Sequence, residues 1–217
     1  MDFQPLKYVY QRTDNNKAYT LLLLPGTGGD EHDMVPLAAN FGYDVNILSL
    51  RGNVLEHGMP RFFRRLSMGV FDEADLHFRT HELVHFLRNL ALEKHFDVNK
   101  LIAIGYSNGA NIAGAILMLY PELLAGALLF RPMQPFQALE DGFETQRQAP
   151  VLITTGRQDT TIDLADTNNY ATLLSANGFK VNTYEVNAGH ALTQEDITLA
   201  AQWFRDNFQI RNFSQYG

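Results

Sequence analysis

Apolar and polar positions fall into blocks along the chain, and the period changes from block to block. Lys7 to Gln11 alternates residue by residue and reads as an edge strand. Tyr19 to Leu24 is apolar almost throughout, as expected of a strand buried on both faces. Further strands are predicted over Val45 to Leu50, Leu101 to Ile104, Leu123 to Phe130, Val151 to Thr155 and Lys180 to Val186. Helical spacing takes over between them. Leu76, Leu83, Leu87 and Leu90 give one core face to a long amphipathic helix from about Glu73 to His95. Shorter helices are predicted over Asp33 to Asn40, over the small-residue run Ala110 to Leu119, and over Ala165 to Asn177, which Gly178 closes. A last helix starts near Thr193, whose Thr-x-x-Asp with Asp196 is a capping box, and runs to about Phe208. Arg51 to about Ser67 reads as a loop. Strands alternating with helices predict an α/β chain with a mostly parallel sheet covered on both faces. A single domain over residues 1–217, without a large lid domain, is expected. In such sheets functional residues lie just past the carboxyl ends of the strands.

Composition narrows the classes. At 46% hydrophobic and 12% aromatic, the 217 residues can bury a sizeable core. The net charge is −7 with no large basic cluster, so no nucleic-acid partner is expected. Cysteine is absent, which excludes disulfides, a cysteine nucleophile and thiolate metal sites. Met1 to Thr13 lacks the apolar core of a secretory signal, and Leu21 to Leu24 and Ala115 to Leu119 are too short to span a bilayer. A cytoplasmic protein is therefore the expectation. Its oligomeric state is not readable, and a homodimer stays open.

The chemistry centres on Gly105-Tyr106-Ser107-Asn108-Gly109, between a predicted strand and a predicted helix. Gly-x-Ser-x-Gly in that context is a nucleophile elbow, which holds a serine on a sharp turn above the sheet. Side chains two residues either side of the serine would collide, hence the glycines. A serine needs a base, and the base needs an orienting carboxylate. His190 is the only histidine downstream of Ser107. Asp159 follows the preceding strand; Asp163 and Asp166 are rivals that read as helix cap and first-turn residues. Two N–H donors are needed for the oxyanion. Asn108 follows the nucleophile, and Pro25-Gly26-Thr27-Gly28-Gly29 supplies the second, at Thr27 or at Gly26 or Gly28.

Together with Asp30-Glu31, Arg51-Gly52-Asn53-Val54 and Arg61-Phe62-Phe63-Arg64-Arg65, these loops carry a resemblance over nearly the whole chain. The chain resembles the α/β-hydrolases of the phospholipase/carboxylesterase group, relatives of acyl-protein thioesterases. It is more similar still to the bacterial carboxylesterases associated with hydroquinone resistance. The resemblance implies triad roles for Ser107, Asp159 and His190, oxyanion N–H groups at Thr27 and Asn108, and no cofactor. It implies hydrolysis of a small-molecule carboxylic ester through an acyl-serine, with thioesterase or lysophospholipase activity and a non-catalytic binding protein as rivals. Relatives often carry histidine before the first glycine of the oxyanion loop, where this chain has Pro25. Dienelactone hydrolases share the fold but use cysteine, and the chain has none.

Two further motifs bear on the site. Arg61-Phe62-Phe63-Arg64-Arg65, two aromatics among three arginines, is a candidate to line the substrate pocket and attract an anionic substrate, with Phe62, Phe63, Arg64 and Met133 as its foremost residues. The alternative is that the phenylalanines pack inward and the arginines are solvated. His81-Glu82-Leu83-Val84-His85 matches the zinc-protease pattern His-Glu-x-x-His. Its helical position puts the histidines on the flank and far side of the leucine face, with Arg88, where a solvated surface rather than a metal site is expected.

Overall fold

The computed structural model describes residues 2–42 and 44–209. Its strands are β1 Lys7–Gln11, β2 Thr20–Leu24, β3 Asn46–Arg51, β4 Val54–Glu56, β5 Met59–Arg61, β6 Arg65–Ser67, β7 Val70–Phe71, β8 Leu101–Tyr106, β9 Gly126–Phe130, β10 Pro150–Gly156 and β11 Lys180–Val186. Its helices are α1 Glu73–Lys94, α2 Asn108–Leu119, α3 Leu164–Ala176 and α4 Gln194–Phe208. One sheet runs in the order β1-β3-β2-β8-β9-β10-β11. It is parallel except for β1, which pairs antiparallel with β3.

Because strand side chains alternate between faces, the continuous apolar runs feed two cores at once. Leu22, Leu24, Ala103, Leu129 and Ile153 pack with α1, α2 and α3 on one face. Leu21, Leu23, Ile104, Phe130 and Leu152 pack with α4 and the 35–41 turn on the other. This is the α/β-hydrolase fold, with no large lid among the described residues.

Three local expectations are corrected. The helix expected over Asp33 to Asn40 is a 3-10 turn, Val35–Phe41. Asp33, its expected start, accepts from the Asp30 N–H instead, no side chain caps the segment, and Pro36 lacks an N–H. The expected loop from Arg51 to Ser67 contains one small hairpin, β4–β5, and the first strand of a second, β6–β7, which closes just beyond it. Their strands are two or three residues long, too short to show a period, and His57-Gly58 turns the first with both φ positive. Leu123 closes a turn rather than opening a strand, with its N–H donating to Tyr120 C=O, and β9 starts at Gly126.

Candidate active site

β8 runs into the Gly105–Gly109 turn, and α2 starts immediately after Ser107. Ser107 sits at φ 53° and ψ −115°, which costs a non-glycine residue roughly 1–3 kcal/mol. Neighbouring elements enforce it. The Ser107 N–H donates to Phe130 C=O at 2.9 Å, and its C=O accepts from the Asn111 N–H at 2.9 Å. A Cβ on Gly105 would collide with the backbone of Gly109 and Ala110, and one on Gly109 with Leu24 C=O. Close passage of α2 over β8 and β2 therefore demands both glycines. Ser107 holds the N-cap position of α2, yet its hydroxyl caps no helical N–H. Its Oγ lies 2.9 Å from His190 Nε2.

His190 comes from the β11–α4 loop and Asp159 from the β10–α3 loop, both past carboxyl ends of strands. His190 Nδ1 lies 2.8 Å from Asp159 Oδ2. Asp159 Oδ1 accepts from the Thr161 and Ile162 N–H groups at 2.8 and 3.3 Å. The carboxylate is buried while the imidazole keeps one edge open. Asp163 caps α3 by accepting from the Ala165 N–H, and Asp166 occupies its first turn. His190 pairs with neither.

Thr27 and Asn108 border one small cavity with Ser107 and His190. As the first residue of α2, Asn108 precedes the first intrahelical bond, so its N–H has no partner within the helix. The Thr27 N–H takes no part in the hydrogen bonds that hold its loop, which are Gly28 N–H to Pro60 C=O and Gly29 N–H to Gly26 C=O. Pro25 carries no N–H and precedes both.

The Arg61–Arg65 segment braces these two positions. Arg61 Nη1 donates to Thr27 Oγ1 at 2.8 Å, and the Phe62 N–H donates to Asn108 Oδ1 at 2.8 Å. The candidate pocket residues are redistributed accordingly. Phe62 and Phe63 are buried in the core and do not line the cavity. The Arg64 side chain is 63% exposed and pairs with Asp72 and Asp75. Met133 does line the cavity, as do Arg61 and Arg65, the first and last residues of the candidate segment.

Sequence reasoning also missed Arg131. It is 1% exposed, at φ 55°, directly after β9. Its Nε donates to Gly189 C=O and its Nη2 to Ala191 C=O, one on either side of His190. The same guanidinium makes a two-pronged pair with Asp196 at 2.7 and 2.9 Å. The available signal was an arginine at the end of a buried strand; Asp196 was legible only as a helix cap. Burial alone would raise the Asp196 carboxyl, but hydrogen bonds from Arg131, Thr154 and Thr193 outweigh it and hold it below its ordinary value. Its contribution to stability is therefore complete above the usual carboxylate range and lost as pH falls through the depressed value. Arg131→Met should strand a buried carboxylate and cost about 3–5 kcal/mol. A fall in Tm on the order of 10 °C is expected by calorimetry, and an unchanged Tm would refute the account.

The His-Glu-x-x-His stretch is partly corrected. His77 and His85 are exposed, but His81 is half-buried against Tyr120 and Glu82 is buried. Burial, and then the neighbouring His77, push the His81 imidazole below its ordinary value. Glu82 accepts from the Gln4 N–H and pairs with Arg79, clamping the segment before β1 onto α1. Among the described residues, no three His, Cys, Asp or Glu side chains converge as a metal site. His81→Ala should leave turnover within about twofold and cost ~1 kcal/mol through the lost Tyr120 bond. Hydrolysis that a chelator abolished and zinc restored would overturn this reading.

The fold and the serine elbow together define an α/β-hydrolase. The chain belongs to the dienelactone hydrolase family, whose model matches residues 67–205. It is 40% identical over 201 residues to MhqD of Bacillus subtilis (strain 168), described as a hydrolase, covering 93% of this chain and 98% of that protein. A Bacillus cereus carboxylesterase structure superposes with a TM-score of 0.90 at 43% identity, over 94% of this chain and 95% of that one. A structure of YahD with malic acid gives a TM-score of 0.87 at 30% identity, over 93% and 99%. The protein is a hydrolase. Its lack of cysteine had set it apart from dienelactone hydrolases; family membership removes that separation, with serine at the elbow. No described helix is long and apolar enough to cross a membrane.

Proposed function

We propose that the protein is a serine carboxylesterase working through an acyl-serine intermediate, as one α/β-hydrolase domain. The observation that carries this reading is the unbroken chain from Ser107 Oγ through His190 to Asp159, at 2.9 and 2.8 Å, starting from a strained elbow. Similarity to a carboxylesterase supports the ester as substrate.

Ser107 Oγ attacks the ester carbonyl as His190 Nε2 takes its proton. Asp159 holds the proton on Nδ1, which leaves Nε2 free to accept, and stabilises the imidazolium that forms. The N–H groups of Thr27 and Asn108 receive the developing oxyanion, with the α2 N-terminus favouring negative charge. His190 then returns the proton to the departing alcohol. In the second half water gives a proton to His190 and its oxygen attacks the acyl carbon. The acid leaves and Ser107 recovers its proton. No cofactor enters these steps.

The experiment is labelling with a fluorophosphonate, followed by turnover of p-nitrophenyl esters and acyl-CoA thioesters of graded chain length. Rapid labelling at Ser107 and turnover of short esters are expected. Absence of labelling would sink the serine mechanism, and a preference for acyl-CoA would make the protein a thioesterase.

A further inference from the structure

Residues 187–193, the loop that carries His190, form no helix or strand. Loops of this kind are ordinarily the mobile part of a fold. Here four successive carbonyls are each taken. Ala188 C=O accepts from the Gln158 N–H at 2.9 Å, and Gly189 C=O from Arg131 Nε at 3.1 Å. His190 C=O accepts from the Tyr106 hydroxyl at 3.2 Å, and Ala191 C=O from Arg131 Nη2 at 3.3 Å. The donors come from the carboxyl ends of three neighbouring strands, β8, β9 and β10. The end of β10 also presses on the loop, since a Cβ on Gly156 would collide with Ala188 C=O and Gly189 C=O.

Each donor is a chain neighbour of the residues that His190 must meet. Tyr106 precedes Ser107, and Gln158 precedes Asp159. Arg131 follows Phe130, whose C=O holds the Ser107 N–H. A shift of His190 away from Ser107 or Asp159 would therefore have to break one of these bonds. The donors are themselves fixed. Arg131 cannot swing, because Asp196 and Thr154 take its remaining N–H groups. The Tyr106 ring is half-buried against Gly26 and lies 5.6 Å from the His190 ring, centre to centre. Burial pushes the Tyr106 hydroxyl up from its ordinary value, with Arg131 opposing, so it remains an O–H donor. Neither Tyr106 nor Arg131 borders the cavity beside Ser107.

We propose that Tyr106 and Arg131 are positioning residues that aim His190: they hold its backbone so that the imidazole bridges Ser107 and Asp159, and turnover depends on that hold. The inference rests on the esterase reading, in which His190 is the base.

The test is Tyr106→Phe, which keeps the ring and removes only the donor. An error of about 1 Å in the placement of a catalytic group can cost on the order of 10²-fold, so kcat for p-nitrophenyl acetate should fall by roughly tenfold or more. KM should stay within about twofold, because the side chain lies outside the cavity, and Tm should move by only about 2–4 °C for one hydrogen bond. Arg131→Lys keeps a cation opposite Asp196 but loses the fork that spans two carbonyls. It should lower kcat in the same way when assayed well below its Tm. The decisive measurement repeats both substitutions in a His190→Ala background, where a residual catalysis of about 10³–10⁴-fold over water is expected. A residue that acts only through His190 has nothing left to aim there, so each substitution should change the residual turnover by less than about twofold. Three results would each overturn the inference while wild-type turnover leaves the esterase reading standing: a loss just as large without His190, a kcat within about twofold of wild type for Tyr106→Phe, or a Tyr106→Phe chain that no longer folds. If His190→Ala itself turns over like wild type, His190 is not the base, and the esterase mechanism and the inference fall together.

Discussion

Ser107→Ala is expected to lower kcat for p-nitrophenyl acetate on the order of 10⁶-fold, with the fold intact. The substitution deletes the attacking atom and nothing that the core needs. The turn itself is held by backbone bonds to Phe130 and Asn111 and by the tight fit of Gly105 and Gly109, none of which uses the hydroxyl. Among the described residues, the side-chain hydrogen bond of Ser107 Oγ is to His190, so stability should change by only ~1 kcal/mol. Near-wild-type turnover of the purified variant, with an unchanged Tm, would remove Ser107 as nucleophile. A collapsed Tm would instead mean that the hydroxyl is part of the elbow's support.

Asp159→Asn should cost about 10³–10⁴ in kcat, for a reason visible in how each carboxylate oxygen is used. Oδ1 accepts from the Thr161 and Ile162 N–H groups, while Oδ2 faces His190 Nδ1. An asparagine must keep its oxygen towards the two N–H donors, which turns its NH₂ towards His190. Nδ1 then has to accept, the ring proton moves to Nε2, and Nε2 presents a hydrogen to Ser107 instead of a lone pair. The nucleophile is left without a base although every heavy atom stays in place. Asp163→Asn keeps a competent helix cap and Asp166→Asn alters only a first-turn charge, so each should cost less than about tenfold. All three variants are to be measured against one p-nitrophenyl ester. If Asp163→Asn or Asp166→Asn is the crippled enzyme and Asp159→Asn the active one, the assignment of the acid is wrong.

These expectations differ in how far they were readable beforehand. Ser107, His190 and Asp159 stood out as candidates because each follows the end of a strand. The apolar run before it and the helix after it mark that position within a dozen residues. The pocket was not readable in this way. Arg61-Phe62-Phe63-Arg64-Arg65 is five adjacent residues with three destinations. Phe62 and Phe63 go to the core, Arg64 goes to solvent, and Arg61 and Arg65 face the cavity. Which one goes where depends on two hairpins too short to leave a periodic signature.

The sequence by itself determined the features whose cause is local. Apolar runs of strand length, interleaved with helical spacing, require a sheet covered on both faces. Thr193 and Asp196 form the capping box at the start of α4 as their spacing demands. Glycines at 105 and 109 answer to a backbone approach that any serine elbow makes. Tertiary structure alone decided whatever joins segments distant in sequence. Arg131 meets Asp196 across 65 positions and secures the loop on both sides of His190. Glu82, part of an apparent metal motif, ties the N-terminal segment to α1 across 78 positions. The Phe62 N–H finds Asn108 across 46. A buried charge or amide must find a partner wherever the fold supplies one, since leaving it bare costs several kcal/mol. Periodicity registers which side chains are apolar, but it carries no record of which polar groups will meet.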